Sequence, residues 1–418
     1  MFKFMHLADL HLGCEQYGLR ERTQDIARAC KRAAEAAVNE EVQFVLIAGD
    51  VFHNRSISPD TLLTAVNILS LLREADIPVV AVAGNHDRGW RSESLNWLSL
   101  LHNLGYLICL DVTVDRGSLQ LNPPDSEYPS YIDIGEARIV GLPYFGTGLP
   151  RLLGQLPERL PALERKYTIL LAHTGLEGEM PGFSQPVRQE HLEPLRPYVD
   201  YLALGHLHKP FERLDWIYNP GSLEALGVDE VQFAGGWYLV EAKPDSAGEW
   251  QHQAKLVPCK RREFRRLPPL EVGFYDTPDA LQRAVEKLSE NHLDLLGKQP
   301  LLELTLKGNL RFANSSLDLN RLSQVLEEKL QPLKVLVRNF ALPPEAPAII
   351  DEDIPRSEIE KRVLQQAVAA DARYAPHQDI LSSLAKELKD MALARTAEEE
   401  VFAKALSIVA ELGLVERT

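Results

Sequence analysis

The chain has 418 residues, 45% of them hydrophobic, which suits two or three domains with proper cores. A formal net charge of −15 argues against holding nucleic acid by bulk charge, although a metal centre and a local basic patch can bind phosphates on an acidic surface. Four scattered cysteines without a C-x-x-C pair exclude a disulfide framework and a zinc–thiolate site and fit a reducing cytoplasm. The opening MFKFMHLADLHLG lacks a signal peptide's long apolar run, and no stretch approaches the ~18–20 apolar residues that cross a bilayer.

In chain order, FKFMHLAD, VQFVLIAGD, IPVVAVAGNHD, ARIVGLPYF, YTILLAHTG and VDYLALGHLH read as short β-rich strands. Most of them stop at Gly, Asp, Asn or His. Helical patterns over Thr23–Asn39 and Pro59–Arg73 separate the early ones, so a sheet layered with helices is expected. IYNPGSLEA and GGWYLVEA continue the strand series and complete a first domain over 1–250. A compact α+β unit is expected over 258–342: strand near Leu267–Phe274, helix Pro278–Glu290, strand Leu301–Lys307, helix Leu317–Leu330, strand Leu333–Phe340. The Pro-rich, acidic stretch 343–355 reads as a linker, and helical patterns follow across 356–418.

The chemistry sits at the strand ends. Five strands deliver Asp9 and His11; Asp50 and His53; Asn85, His86 and Asp87; His173; and His206 and His208. Six of the chain's 12 histidines therefore fall in five short motifs, all at the carboxyl ends where open α/β sheets bind ligands. A single D-x-H or G-N-H-D is usually an ordinary turn; the five together are not. Carboxylate, amide and imidazole donors without a thiolate suit Mn²⁺ or Fe²⁺, with Zn²⁺ possible. About seven candidate ligands exceed one ion, and two ions ~3.5–4 Å apart suit in-line displacement at phosphorus. Residues i and i+2 of an extended segment project to one side, so His206 and His208 can each serve a different ion.

HLADLHLG, IAGDVFHNRSISP, AVAGNHDR, GHLHKP and NPGSLEA, in this order, resemble the calcineurin-like binuclear metallophosphoesterases, and within them the SbcD-type DNA repair exonucleases. The likeness is strong over the first domain and looser over the second. It implies an α/β fold, a four-layer sandwich of mixed sheets flanked by helices, with a small α+β capping domain and a helical tail. It implies that Asp9, His11 and His208 hold one divalent ion, most readily Mn²⁺, that Asn85, His173 and His206 hold a second, and that Asp50 bridges them. His86 would act on the leaving oxygen, with Asp87 as its orienting partner. His53 matches a histidine of archaeal-type members that helps place the DNA backbone. The implied reaction is 3′-to-5′ exonuclease cutting of duplex ends and endonuclease cutting of single strands or hairpins. It would take place in the nucleoid-bearing cytoplasm, beside a coiled-coil, SMC-like ATPase of the SbcC type. After NPGSLE an arginine is expected, and Ala225 stands there.

Three further features have two readings each. KRREFRR (Lys260, Arg261, Arg262, Arg265 and Arg266, with Phe264) could grip DNA phosphates or be a solvated strand edge. The helices near 61–73 and 94–104 carry more apolar residues than one buried stripe needs, which fits a homodimer bundle or a deep helix. The tail stripes (Ile359, Val363, Val368; Val401, Ala405, Val409, Leu412) could dock on the ATPase or fold back. A phosphodiesterase or phosphatase acting on small molecules or proteins is the rival enzyme: GDVFHNR in place of GDxVDRG disfavours the protein phosphatase, and a capping domain with a helical tail is seldom needed by a small-molecule phosphodiesterase. A degenerate scaffold is disfavoured by the intact ligand set.

Overall fold

The computed structural model describes residues 1–89, 95–160, 165–180, 187–344, 356–369, 374–393, 396 and 398–412, and divides into two compact units, Met1–Arg262 and Glu263–Thr418. The first is built on two six-stranded sheets. One runs β14 (Trp250–Pro258), β13 (Gly236–Pro244), β1 (Phe2–Leu7), β2 (Phe44–Ile47), β3 (Val79–Val82), β4 (Ile108–Leu110). The other runs β11 (Phe211–Arg213), β12 (Ile217–Asn219), β10 (Tyr201–Gly205), β9 (Tyr167–His173), β8 (Ala137–Leu142), β7 (Tyr131–Ile134). A two-stranded ribbon, β5 (Thr113–Asp115) with β6 (Ser118–Gln120), lies apart from both.

Strand alternation makes the layers. In β1, Phe2 and Phe4 enter a core shared with Phe44, Val80, Ile169, Tyr201 and Tyr218 of both sheets. Met5 and Leu7 point the other way, into a core with helices α1 (Arg20–Asn39) and α2 (Pro59–Glu74). The outer face of the second sheet is covered by short helices α4 (Leu149–Leu153), α5 (Leu156–Arg159) and α6 (Gln189–Leu192). The result is the expected helix–sheet–sheet–helix sandwich. Helix α2 starts where Ser58 accepts the Thr61 N–H at 3.2 Å and Pro59 takes the first turn, where a missing N–H costs nothing.

Of the apolar excess on α2, Ala65, Leu69 and Leu72 are buried. Leu62, Val66, Ile68 and Leu71 are half-buried against the same core, and Leu63 is 58% exposed. Helix α3 (Trp97–Asn103) buries Leu98 and Leu101, while Leu95 and Leu104, just outside its ends, are exposed.

In the second unit, β15 (Phe264–Arg266), β16 (Leu270–Glu271) and β18 (Lys334–Leu342) all pair in parallel with β17 (Leu301–Asn309). Helices α7 (Pro278–Glu290) and α8 (Leu319–Leu330) supply the rest of its core. The strand expected near Leu267–Phe274 is corrected. Pro268 and Pro269 cannot donate to a ladder, so pairing breaks between β15 and β16, and Val272–Phe274 closes as a 3-10 turn. The linker 343–355 lies almost wholly outside the described residues. Beyond it come α9 (Arg356–Ala369), α10 (Gln378–Leu393) and α11 (Glu398–Glu411). Ion pairs Lys389–Glu360 and Lys404–Glu387 join α10 to its two neighbours. Val363 and Phe402 are exposed, Val368, Val401, Ala405, Val409 and Leu412 are half-buried, and the Ile359 side chain lies outside the described residues. Among the described residues no helix is long and apolar enough to cross a membrane.

Candidate metal centre

β1, β2 and β3 run parallel, as do β9 and β10, so their carboxyl ends bring the five motifs to one rim. Beyond the strands the chain is still zipped: Asp9 N–H donates to Gly49 O at 3.1 Å, and His11 N–H to Asp50 O at 3.0 Å. These bonds hold a strained backbone. Asp9, His11, Asp50 and His206 all have positive φ (53°, 48°, 52° and 85°), a left-handed conformation costing a non-glycine residue about 1–2 kcal/mol. Close approach explains the motif glycines. A Cβ on Gly49 would lie 2.2 Å from His173 Nδ1, and one on Gly84 would lie 2.0 Å from Asp50 Oδ1.

The seven expected ligands converge. His11 Nε2 and His208 Nε2 are 3.0 Å apart, and Asp9 joins them in one group of donors within 4.8 Å of one another. Asp50, His173 and His206 form a second such group, with His173 Nε2 at 3.3 Å from Asp50 Oδ2 and 3.0 Å from Asn85 Oδ1. Asp50 Oδ2 also lies 3.8 Å from His11 Nε2, which puts this carboxylate between the groups. Its Oδ1 accepts the His86 N–H at 2.9 Å.

The outer nitrogens fix which lone pairs face inward. His173 Nδ1–H donates to the Ala48 carbonyl at 2.6 Å, leaving Nε2 as the atom that faces the site. Two ring nitrogens that face each other at 3.0 Å, ringed by carboxylates and an amide oxygen, form a pocket of bases. That donor chemistry fits divalent cations. The charges agree. Burial, then the surrounding histidines, push His11 well below the ordinary histidine range. Burial also works against charge on Asp50, but His173 and His11 outweigh it and hold its carboxyl well below the usual range. Burial raises Asp9 to about 6 and lowers His206 to about 3; His173, where burial opposes the cation but Asp50 overcomes it, rises to about 9.

One sequence expectation changes here. Asp87 does not orient His86. It is buried and accepts the backbone N–H groups of Val51 (3.2 Å), Phe52 (3.0 Å) and Gly84 (3.0 Å), tying the β2 and β3 exits together. His86 instead donates Nδ1–H to the His53 carbonyl at 2.6 Å. The His53 ring sits with Nδ1 3.3 Å from His11 Nδ1, and His11, His53 and His86 form a third group of close donors.

The basic strip is also not uniform. Arg261 donates to the carbonyls of Leu223 (3.1 Å), Phe233 (2.6 Å) and Ser222, pinning a loop of its own unit. Arg262 pairs with buried Asp25, which also receives Arg22 at 2.7 Å. Carbonyls and a carboxylate thus already hold the two guanidinium groups that were expected to reach phosphate. Lys260 is exposed. Arg265 pairs with Glu263 at 2.6 Å and Arg266 with Glu303 at 3.3 Å, their side chains 37% and 44% exposed. Ala225, where an arginine was expected, is buried and its carbonyl accepts from Arg22 at 2.9 Å.

Sequence reasoning missed Glu230, whose Oε1 lies 2.8 Å from His208 Nδ1, and Tyr144, whose ring is 5.2 Å from that of His206. Neither lies in a motif.

The calcineurin-like phosphoesterase family matches residues 2–210. The DNA double-strand break repair protein Mre11 of Archaeoglobus fulgidus is 30% identical over 350 residues, covering 79% of this chain and 72% of that protein. Its namesake in Aeropyrum pernix is 32% identical over 325 residues, covering 74% of each. That of Sulfurisphaera tokodaii is 28% identical over 310 residues, covering 73% of each.

Proposed function

This chain belongs to the calcineurin-like phosphoesterase family and to its Mre11 branch, and on that premise we propose that it is a metal-dependent DNA nuclease of double-strand break repair. The observation that carries the reading is the pair of donor groups, Asp9/His11/His208 and Asp50/His173/His206, with Asn85 beside the second and Asp50 reaching both.

Asp9, His11 and His208 would hold one divalent cation, and Asn85, His173 and His206 the other, with Asp50 shared; we take Mn²⁺ as the metal. Bound there, the two cations supply Lewis acidity toward a phosphodiester and a water. The protein's own groups do the rest. Ala48 fixes the His173 tautomer, so its lone pair faces the site. The His53 carbonyl anchors His86 Nδ1, which leaves Nε2 to carry a proton to the departing oxygen. Asp87 locks the loops that carry Asp50 and Asn85.

The finer reading follows from the same family. The chain would cut duplex ends 3′ to 5′, and single strands or hairpins internally, in the nucleoid-bearing cytoplasm. Lys260, Arg265 and Arg266, partly in solvent, would contact DNA phosphates, which position a duplex without reading its sequence. An SMC-like coiled-coil ATPase would dock on the tail helices α9–α11, and a second copy on α2 and α3, where Leu63 and, just before α3, Leu95 are exposed. Residues 258–342 would be the capping domain.

The test is cleavage of end-labelled duplex, hairpin and single-stranded DNA with Mn²⁺, Mg²⁺ or EDTA, beside His86→Ala. Metal-dependent cutting that EDTA and His86→Ala abolish supports the reading. Hydrolysis of a chromogenic phosphodiester without DNA cutting, even with the ATPase present, would move the substrate to small molecules.

A further inference from the structure

The His208 ring is gripped from outside by a carboxylate. Nδ1 lies 2.8 Å from Glu230 Oε1, so this nitrogen carries the hydrogen and donates it. The other carboxylate oxygen accepts the Leu226 N–H at 2.7 Å, which fixes Glu230 itself. Both groups are mostly withdrawn from solvent, with side chains 20% and 18% exposed. Donation at Nδ1 puts the His208 lone pair on Nε2, the atom 3.0 Å from His11 Nε2. Two other ligand rings have neutral outer partners: the Ala48 carbonyl for His173 and the His53 ring for His11. His208 differs from these two in receiving a full negative charge behind its ring. Such a carboxylate makes an imidazole a stronger base and a better-oriented ligand.

We infer that Glu230 is a positioning residue for one of the two cation sites, that of Asp9, His11 and His208. It fixes the His208 tautomer and ring plane, and it adds a third carboxylate, after Asp9 and Asp50, to the charge around that one site. The loop from Leu226 to Glu230 is thereby tied to loading of that site. The inference rests on reading the cluster as a two-cation centre.

Mn²⁺ binding to the metal-stripped full-length chain tests it, followed by calorimetry and by loss of the free-ion paramagnetic resonance signal. The chains compared are wild type, Glu230→Gln, Glu230→Ala, His208→Ala and the Glu230→Ala/His208→Ala double variant. Glu230→Ala is expected to weaken one binding step by about 10–100-fold and leave the other unchanged. Glu230→Gln, whose amide oxygen still accepts from Nδ1–H, should lose less. In the double variant the weakened step should match His208→Ala alone, because both changes act through one ring. Thermal melting without metal identifies any variant that fails to fold, in which case Glu230→Gln carries the comparison. Two wild-type-like steps in Glu230→Ala would overturn the inference and leave the two-cation reading intact. Equal weakening of both steps would make Glu230 merely structural and overturn it as well. A wild-type chain that takes up no cation would sink the two-cation reading and this inference together.

Discussion

Asp87 separates two accounts of the same residue. It is 2% exposed and accepts three backbone N–H groups, from Val51, Phe52 and Gly84. Each buried donor left without a partner costs about 1–3 kcal/mol, so Asp87→Ala has a ceiling of about 9 kcal/mol. Relaxation and entry of water bring the expectation to about 3–5 kcal/mol, among the larger single-residue effects. Asp87→Asn is gentler. Its amide oxygen can keep Val51 and Gly84, the two donors that share Oδ2, while the amide nitrogen faces the Phe52 N–H; one bond is lost, for about 1–3 kcal/mol. The assay is urea unfolding of the metal-stripped chain, followed by circular dichroism, for wild type and both variants. A clamp predicts the order Ala, then Asn, then wild type in rising midpoint. An acid-orienting partner of His86 predicts wild-type midpoints and a shifted pH profile of cleavage. Unchanged midpoints in Asp87→Asn with a displaced pH profile would refute the clamp.

The basic strip divides by the same logic. Arg261→Ala should cost about 1–3 kcal/mol of stability by stripping three carbonyls of their donor, and leave the salt dependence of DNA binding unchanged. Arg265→Ala with Arg266→Ala should weaken DNA binding uniformly across sequences and lower the salt slope by about 2; an unchanged slope rules out their phosphate role. Deleting 350–418 should abolish co-purification with the ATPase and spare cleavage of short DNA, and loss of both would assign the tail a folding role. His6 gives a pH signature. Burial lowers it to about 3 from the ordinary 6.5; it accepts the Tyr201 hydroxyl at Nδ1 and donates Nε2–H to the Leu204 carbonyl. Its folded value is depressed, so this stability is present above about pH 6.5 and lost as pH falls toward 3, by at most about 1.4 kcal/mol per pH unit. The stability advantage of wild type over His6→Gln should therefore shrink between pH 7 and pH 5. A constant gap would mean that the imidazole stays free to protonate.

What could be read from the sequence follows from how far each interaction reaches along the chain. The ligands were legible because a strand end is a local event: a buried run stops, a glycine permits close approach, and the next polar residue faces the rim. Gly49 before Asp50 and Gly84 before Asn85 carry that signal in adjacent letters, and the structure gives each a steric reason. Adjacency misled where the partner is distant. Asp87 beside His86 suggests a dyad, yet its carboxylate turns to amides 35 and 36 residues earlier, on the exit of β2. Counting charge misled in the same way. Arg261 and Arg262 look like a phosphate grip until the carbonyls of 222–233 and the Asp25 carboxylate, 237 residues away from Arg262, are seen to hold them. Glu230 was invisible for the complementary reason: its turn has no motif, and its partner lies 22 residues back. A pattern in sequence records what the backbone must do locally. Which side chains hold the ligands in place is settled by tertiary contact, and the groups that set the affinity of such a centre can lie where sequence reading is weakest.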